Sequence, residues 1–182
     1  MRLFTALVPP RPVLDAVEAA EAGLPAAAAP LRWTGRADRH LTLAFLGEVP
    51  DPDVAGLGAA LAAEAARHAP LRLALRGGGT FPADAARAAV LWADVAGDTG
   101  ALTALADGLR GAARAAGVPV EDRRYVPHLT LARCRPPADL RPLRDGLAGF
   151  ASPAWTAAEV ALVHSRLDAV PRYRTAATWR LG

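Results

Sequence analysis

Hydrophobic positions along the chain switch between a period of two and a period of three to four residues, and the switches delimit its elements. Leu3 to Val8 reads as a strand closed by Pro9-Pro10. Pro12 stands where a helix begins, and Val13, Val17, Ala20 and Leu24 follow at helical spacing before an Ala/Pro-rich link from Pro25 to Pro30. Arg39 to Leu46 predicts a strand ended by Gly47, Pro50 and Asp51. Val54, Leu57, Leu61 and Ala65 predict a second amphipathic helix, with Asp51 or Asp53 as its cap. Leu71, Leu73 and Leu75 then alternate as a strand up to Gly77-Gly78-Gly79, which reads as a flexible turn.

From Ala89 the same order begins again. Val90 to Val95 predicts a strand, Thr99 caps a helix carrying Leu102, Leu105 and Leu109, and a strand is expected from about Tyr125 to Arg133. A further helix carries Leu140, Leu143 and Leu147, and strands follow near Glu159 to Val163 and Tyr173 to Leu181. Leu14 and Leu102, Val17 and Leu105, and His40 and His128 are each 88 residues apart. Val54 and Leu140, Leu57 and Leu143, and Leu61 and Leu147 are each 86 apart. The near-constant offset predicts a duplication, with repeat units of about 1-80 and 88-170 inside one domain, 1-182. Each unit holds two helices and about three strands, too much for a solenoid repeat. The expected fold class is therefore α+β, two similar lobes about a pseudo-twofold axis with a cleft between them.

The repeat carries a phrase: His40-Leu41-Thr42-Leu43 and His128-Leu129-Thr130-Leu131. With 25 Leu and 10 Thr in 182 residues, a given His is followed by Leu-Thr-Leu with a chance on the order of one in a thousand. Two of the four His are. In a strand, His and Thr point to one face and the two Leu to the other, so each phrase has a polar chemical face and an apolar core face.

Composition narrows the classes. With 52% hydrophobic and 21% charged residues, the chain has the balance of a globular protein with a sizeable core. No stretch reaches the roughly 18 uncharged apolar residues of a membrane span, and the N-terminus carries no basic region leading into an apolar run; no membrane association and a cytoplasmic location are expected. Cys134 stands alone, which rules out an internal disulfide and reads as a small buried residue at a strand end. All 21 basic residues are Arg, so the net charge of +3 fits a phosphate or nucleic-acid ligand without identifying one.

Two imidazoles facing each other across a cleft, each with a Thr hydroxyl two residues on, suit cleavage of a phosphodiester. Near neutral pH one ring is neutral and acts as base while the other is protonated and acts as acid. The hydroxyls donate to the non-bridging phosphoryl oxygens as charge develops. Metal hydrolases draw on His-x-His, His-Glu-x-x-His or Asp-rich clusters, whereas here Leu and Thr follow each His and no acidic residue lies within the phrase; no metal and no cofactor are expected.

The phrases with their flanks, Leu41-Thr42-Leu43-Ala44-Phe45-Leu46-Gly47-Glu48 and Tyr125-Val126-Pro127-His128-Leu129-Thr130-Leu131-Ala132-Arg133, resemble the two-histidine (2H) phosphoesterases. Within that superfamily the likeness is to the bacterial and archaeal RNA 2',3'-cyclic phosphodiesterases, historically called 2'-5' RNA ligases. It extends to Leu3-Phe4-Thr5-Ala6-Leu7, to Phe81-Pro82 before Val90-Leu91-Trp92, and to Ser165-Arg166-Leu167 leading to Tyr173. The resemblance implies a two-lobed fold in which each lobe has a mainly antiparallel sheet and flanking helices. It implies metal-independent opening of RNA-terminal 2',3'-cyclic phosphates to 2'-phosphomonoesters, with reversible 2'-5' joining of tRNA halves in some members. His40 and His128 would be catalytic, and Thr42 and Thr130 would bind phosphate. It also places Arg133 near the substrate as a phosphate-binding cation and Phe45 as a stacking surface for the terminal base. Each lies five residues after its His, an odd offset that strict alternation sends to the core face, so both need a bulge, a twist or a strand end. The partner is then RNA with a 2',3'-cyclic phosphate end, and a monomer is expected.

Among the remaining candidates, His68 reads as a cation at a helix C-terminus and His164 as a structural strand residue. The glycine run lacks the Lys-Ser/Thr of a phosphate loop. The four Trp read mainly as core, with Trp33 a candidate to line the cleft, and Arg36, Arg39, Arg123 and Arg124 form a candidate cluster for RNA phosphates. Two rival functions follow from the same residues: a non-catalytic module that holds RNA ends, and a 2H phosphodiesterase of small cyclic nucleotides.

Overall fold

The computed structural model describes residues 1–27, 29–166 and 169–182; Ala28 of the Ala/Pro link and Leu167 of the Ser165-Arg166-Leu167 match lie outside them. Its elements are β1 (Arg2–Leu7), α1 (Arg11–Ala22), β2 (Arg32–Trp33), β3 (Leu41–Glu48), α2 (Val54–Ala65), β4 (Leu71–Phe81), β5 (Ala88–Gly97), α3 (Thr99–Ala115), β6 (His128–Ala138), α4 (Arg141–Gly146), β7 (Trp155–Ala157), β8 (Glu159–Ser165) and β9 (Tyr173–Arg180). The short strands β2 and β7 were not legible, because two or three residues carry no period.

Among the described residues the nine strands form one antiparallel sheet in the order β7-β4-β5-β6-β3-β1-β8-β9, with β2 added to β6. The 88-residue offset matches β1 to β5, β3 to β6 and β4 to β8. The order is a palindrome in those terms: β4-β5-β6 on one side mirrors β8-β1-β3 on the other, each half taking its outermost matched strand from the other half of the sequence. The halves meet at a single register pair, Leu41 opposite Leu129, both completely buried. Beyond it β3 and β6 part, and β2 occupies the vacated edge of β6, with Arg32 opposite Arg133 and Trp33 opposite Ala132.

One face of the sheet is closed by helices over a core rich in leucine. Val13 and Val17 of α1, Leu57 and Leu61 of α2, and Leu102, Leu105 and Leu109 of α3 are buried there with Leu41, Leu43, Leu129 and Leu131 of the two phrases. Burial of each such side chain contributes roughly 1.5–3 kcal/mol. The opposite face is open and holds a small second cluster, Phe4, Ala6, Ala161 and Val163, with Tyr173 packed against it. Among the described residues no helix is long and apolar enough to cross a membrane.

Three local readings are corrected. The Gly77-Gly78-Gly79 run is not a turn but the interior of β4, where the register against β5 shifts between Leu75 and Gly78. A Cβ at Gly79 would overlap the Trp92 ring, so glycine is what lets that indole lie across β4. Trp92 accordingly stands on the open face, half-buried, and not in the leucine core. Thr99 is the first residue of α3 and not its cap; Asp98 occupies the cap position, and its carboxylate accepts the Arg72 backbone N–H.

Gly79→Ala is expected to push the Trp92 ring off β4 and to lower stability by about 1–3 kcal/mol, the range for overpacked sites. Chemical denaturation with tryptophan fluorescence checks it, and an unchanged midpoint and spectrum would show that the ring has room to move.

Candidate active site

The register pair at the seam fixes where the two phrases meet. Because β3 and β6 run antiparallel through Leu41 and Leu129, one residue to either side brings His40 toward Thr130 and Thr42 toward His128. With both Leu pointing into the core, all four polar side chains stand on the open face.

The two imidazoles are anchored alike. His40 Nδ1 lies 2.7 Å from the Asp38 carbonyl oxygen, and His128 Nδ1 lies 2.8 Å from the Val126 carbonyl oxygen. A carbonyl only accepts, so Nδ1 carries a proton and donates in both rings, and Nε2 is the nitrogen left to take up or release one. Each ring also sits in an aromatic notch. Phe4 and Tyr173 stand 4.7 and 5.2 Å from His40, ring centre to ring centre, and Phe81 and Trp92 stand 4.9 and 5.9 Å from His128. Sequence reasoning missed the roles of Phe4, Phe81, Trp92 and Tyr173. The available signal was the repeat itself, since Phe4 and Trp92 are 88 residues apart like the histidines.

Burial among these rings pushes the pKa of both histidines below the ordinary imidazole value. The hydrogen bonds to Asp38 and Val126 oppose that shift, while Arg133 reinforces it at both rings and the charge of His128 does so at His40. Arg133 is thus close enough to be felt by both imidazoles.

The bulges explain how Arg133 and Phe45 reach this face. In the ladder of β3 with β1, Thr5 pairs with Ala44 and Ala6 with Thr42, passing over Leu43. In that of β6 with β5, Leu91 pairs with Ala132 and Trp92 with Thr130, passing over Leu131. The last Leu of each phrase is the extra residue. Leu43 and Ala44 are buried in succession, as are Leu131 and Ala132, and the alternation restarts one residue late. Phe45 is consequently 69% exposed and 6.1 Å from the Phe4 ring, not a core aromatic. Arg133 is exposed on the same face as His128 and Thr130.

Of the candidate cationic cluster of Arg36, Arg39, Arg123 and Arg124, the first two are committed to α1, while Arg124 is exposed. Arg36 reaches Asp15 and Glu18 of α1, both at 2.7 Å. Arg39 is 5% exposed, bonded to Glu21 at 2.6 Å and to the Thr34 carbonyl at 3.1 Å. Burial pushes the Glu21 carboxyl upward, and the Arg39 charge and hydrogen bond oppose that. Arg123 is paired with Glu121. Arg36 and Arg39 act on structure instead: they clamp the 3₁₀ turn Arg36–Asp38 onto α1, which holds the Asp38 carbonyl under His40. His68 is bonded to Glu64, and His164 lies on β8 opposite Leu3, both away from the phrases. Trp33 is 40% exposed beside β6, and Cys134 is buried with its thiol on the Ala88 carbonyl. Among the described residues no group of three His, Cys, Asp or Glu side chains converges as metal ligands do.

Comparison with known proteins places this geometry. The family model described as the 2'-5' RNA ligase superfamily matches residues 9–169. An RNA 2',3'-cyclic phosphodiesterase of Geobacillus stearothermophilus is 34% identical over 150 residues, 82% of this chain and 47% of the relative, so the chain spans about half of that protein. One from Aquifex aeolicus is 30% identical over 156 residues, 83% of this chain and 82% of the relative. The crystal structure of TT0787 of Thermus thermophilus superposes with a TM-score of 0.75 at 31% identity, covering 100% of this chain and 98% of that one.

Arg39→Ala strands the Glu21 carboxylate in a buried position and is expected to cost about 3 kcal/mol, the lower end for breaking a buried ion pair from one side. The urea midpoint reads the loss, and imidazole resonances read its location. The His40 ring signals shift and those of His128 stay in place if the clamp works through the Arg36–Asp38 turn.

Proposed function

This chain belongs to the 2'-5' RNA ligase superfamily, and we propose that it hydrolyses RNA-terminal 2',3'-cyclic phosphates to 2'-phosphomonoesters, the activity for which its curated relatives are named. The observation that carries the reading is the matched pair of imidazoles: His40 and His128, each with Nδ1 tied to a backbone carbonyl and Nε2 left for chemistry, on one face beside Thr42 and Thr130.

In this mechanism one imidazole is neutral and the other protonated. The neutral ring takes a proton from water through Nε2 as the water oxygen bonds to phosphorus. The bond from phosphorus to the 3' oxygen breaks, and the protonated ring delivers its proton to that oxygen, leaving a 3' hydroxyl and a 2' phosphate. Thr42 and Thr130 donate to the non-bridging oxygens, and Arg133 supplies the cation. Phe45, exposed on the same face, stacks the terminal base. Each proton-transfer group contributes roughly 10²- to 10⁴-fold and each oxyanion donor about 10²-fold or more. A 5' hydroxyl in place of water gives a 2'-5' linkage by the same proton transfers, so joining of RNA ends such as tRNA halves belongs to the same site, and no cofactor enters either direction. A module that only held RNA ends would need cations and stacking, not two identically tethered rings with lowered pKa values. The palindromic strand order supports one domain, 1-182, of two repeat units, about 1-80 and 88-170; a cytoplasmic monomer completes the proposed reading.

With an RNA ending in a 2',3'-cyclic phosphate, in excess chelator, wild type is expected to release the 2'-phosphomonoester, and His40→Ala and His128→Ala each to lose at least about 10²-fold in kcat. Retention of most of the rate by either variant overturns the mechanism.

The pH dependence follows from the lowered pKa values. Acidification protonates the base and alkalinisation deprotonates the acid, so kcat/KM is a bell. With both imidazoles below the ordinary value of about 6.5, the bell centres on the acid side of that pH. A profile flat from pH 5 to 9, or one centred above 8, contradicts the pair.

A further inference from the structure

Phe45 and Arg133 occupy equivalent positions in the two halves, five residues after each histidine and just past each bulge, yet one is aromatic and the other cationic. The surroundings extend the contrast. On the His40 side the open face carries Phe4, Ala6, Val163 and Tyr173. On the His128 side Arg133 has a second arginine directly opposite it, Arg32 of β2. Directly opposed residues of an antiparallel pair share a face, with strands about 5 Å apart, so the two arginine side chains leave the same face from neighbouring positions.

Like charges in that relation are unfavourable unless something neutralises them. Among the described residues neither arginine forms a salt bridge or a side-chain hydrogen bond, and both are exposed. Nor is Arg32 on a loose end. The Thr34 backbone N–H donates to the Leu131 carbonyl, and the Thr34 carbonyl accepts from buried Arg39, so the short strand is stitched to β6 on one side and to α1 on the other. The fold thus sets two cations on opposed backbone positions, on the face that carries His128 and Thr130.

We propose that Arg32 binds the phosphodiester on the 5' side of the terminal nucleotide, next to the reacting phosphate held at Arg133. This makes the enzyme selective for RNA chains over mononucleotide cyclic phosphates. The inference rests on the cyclic phosphodiesterase reading and adds a direction to it. The terminal base lies toward Phe45, and the rest of the RNA leaves across β2. The opposite exit, over β1 and β8, is lined by the apolar Phe4, Ala6 and Val163, and the Arg172 guanidinium there is engaged over the Tyr173 ring.

The test compares a trinucleotide RNA ending in a 2',3'-cyclic phosphate with the corresponding nucleoside 2',3'-cyclic phosphate. In Arg32→Gln the ratio of kcat/KM on the trinucleotide to that on the mononucleotide is expected to fall about tenfold, one charge-assisted contact. The salt slope of log kcat/KM on the trinucleotide is expected to flatten by about 0.7, one phosphate contact on a single strand. Arg32→Lys, which keeps the charge without the fork, gives an intermediate ratio. A ratio within twofold of wild type in Arg32→Gln, including equal losses on both substrates, overturns the proposal. If wild type turns over neither substrate, the activity reading fails, and the Arg32 contact is then judged by binding. Calorimetric titration with a 3'-phosphorylated trinucleotide and a nucleoside 3'-monophosphate must show the affinity gap shrinking about tenfold in Arg32→Gln, and an unchanged gap overturns it.

Discussion

Everything at the site depends on one cross-strand contact, Leu41 against Leu129. Among the described residues it is the only register pair between the halves of the sheet, and each leucine follows its histidine directly. Burying the pair removes two leucines from water, roughly 3–6 kcal/mol together. The alternation of side chains then leaves no freedom in where the neighbours go. A one-residue slip would turn His40 and Thr42 into the core and bring Leu41 and Leu43 out, at the cost of desolvating unpaired polar groups. The hydrophobic half of each phrase thus enforces the geometry of its polar half. Leu is as constrained as His for that reason, and the two are found in one phrase.

The same contact explains why the sheet opens where it does. Strands joined at one pair and free beyond it diverge under their own twist, and the edge of β6 that β3 leaves is taken by β2. The open face therefore has a fixed floor at the histidines and walls that part on either side. Bulges at Leu43 and Leu131 increase the local bend and reset the alternation, so the residues five past each histidine return to the open face.

Much of this was legible in the chain itself. The duplicated phrase, the offsets of 88 and 86 residues and the two-faced strands foretold the α+β class, the paired histidines and the helices over the leucine face. The odd offset of Phe45 and Arg133 called for a bulge, a twist or a strand end, and the structure uses a bulge in each strand to re-aim the side chain. What was not legible depended on contacts between distant segments. The glycine run in β4 looks like a turn by local chemistry, and only the indole packed across it from β5 explains it as strand. Arg36 and Arg39 look like ligands for phosphate until α1 is seen to present Asp15, Glu18 and Glu21 to them. Arg32 gave no signal, because a two-residue strand has no period and its importance comes only from standing opposite Arg133.

Symmetry is kept and broken in the places the chemistry requires. The proposed proton transfers use one base and one acid, and the repeat supplies two alike groups for them: the same ring, the same Nδ1 tether, a notch of two aromatics each, and burial that lowers both pKa values. An RNA end has no such symmetry, for it has a base on one side of its terminal phosphate and a charged chain on the other. A site that remained symmetric beyond the histidines would bind such an end in two opposed directions, one of them with the leaving oxygen at the wrong ring. Replacing one member of the equivalent pair by an aromatic and the other by a cation is the smallest change that selects a direction, and in the proposed reading Phe45 and Arg133 are that change. In the same reading Arg32, supplied by a strand outside the palindromic order, reinforces the cationic side.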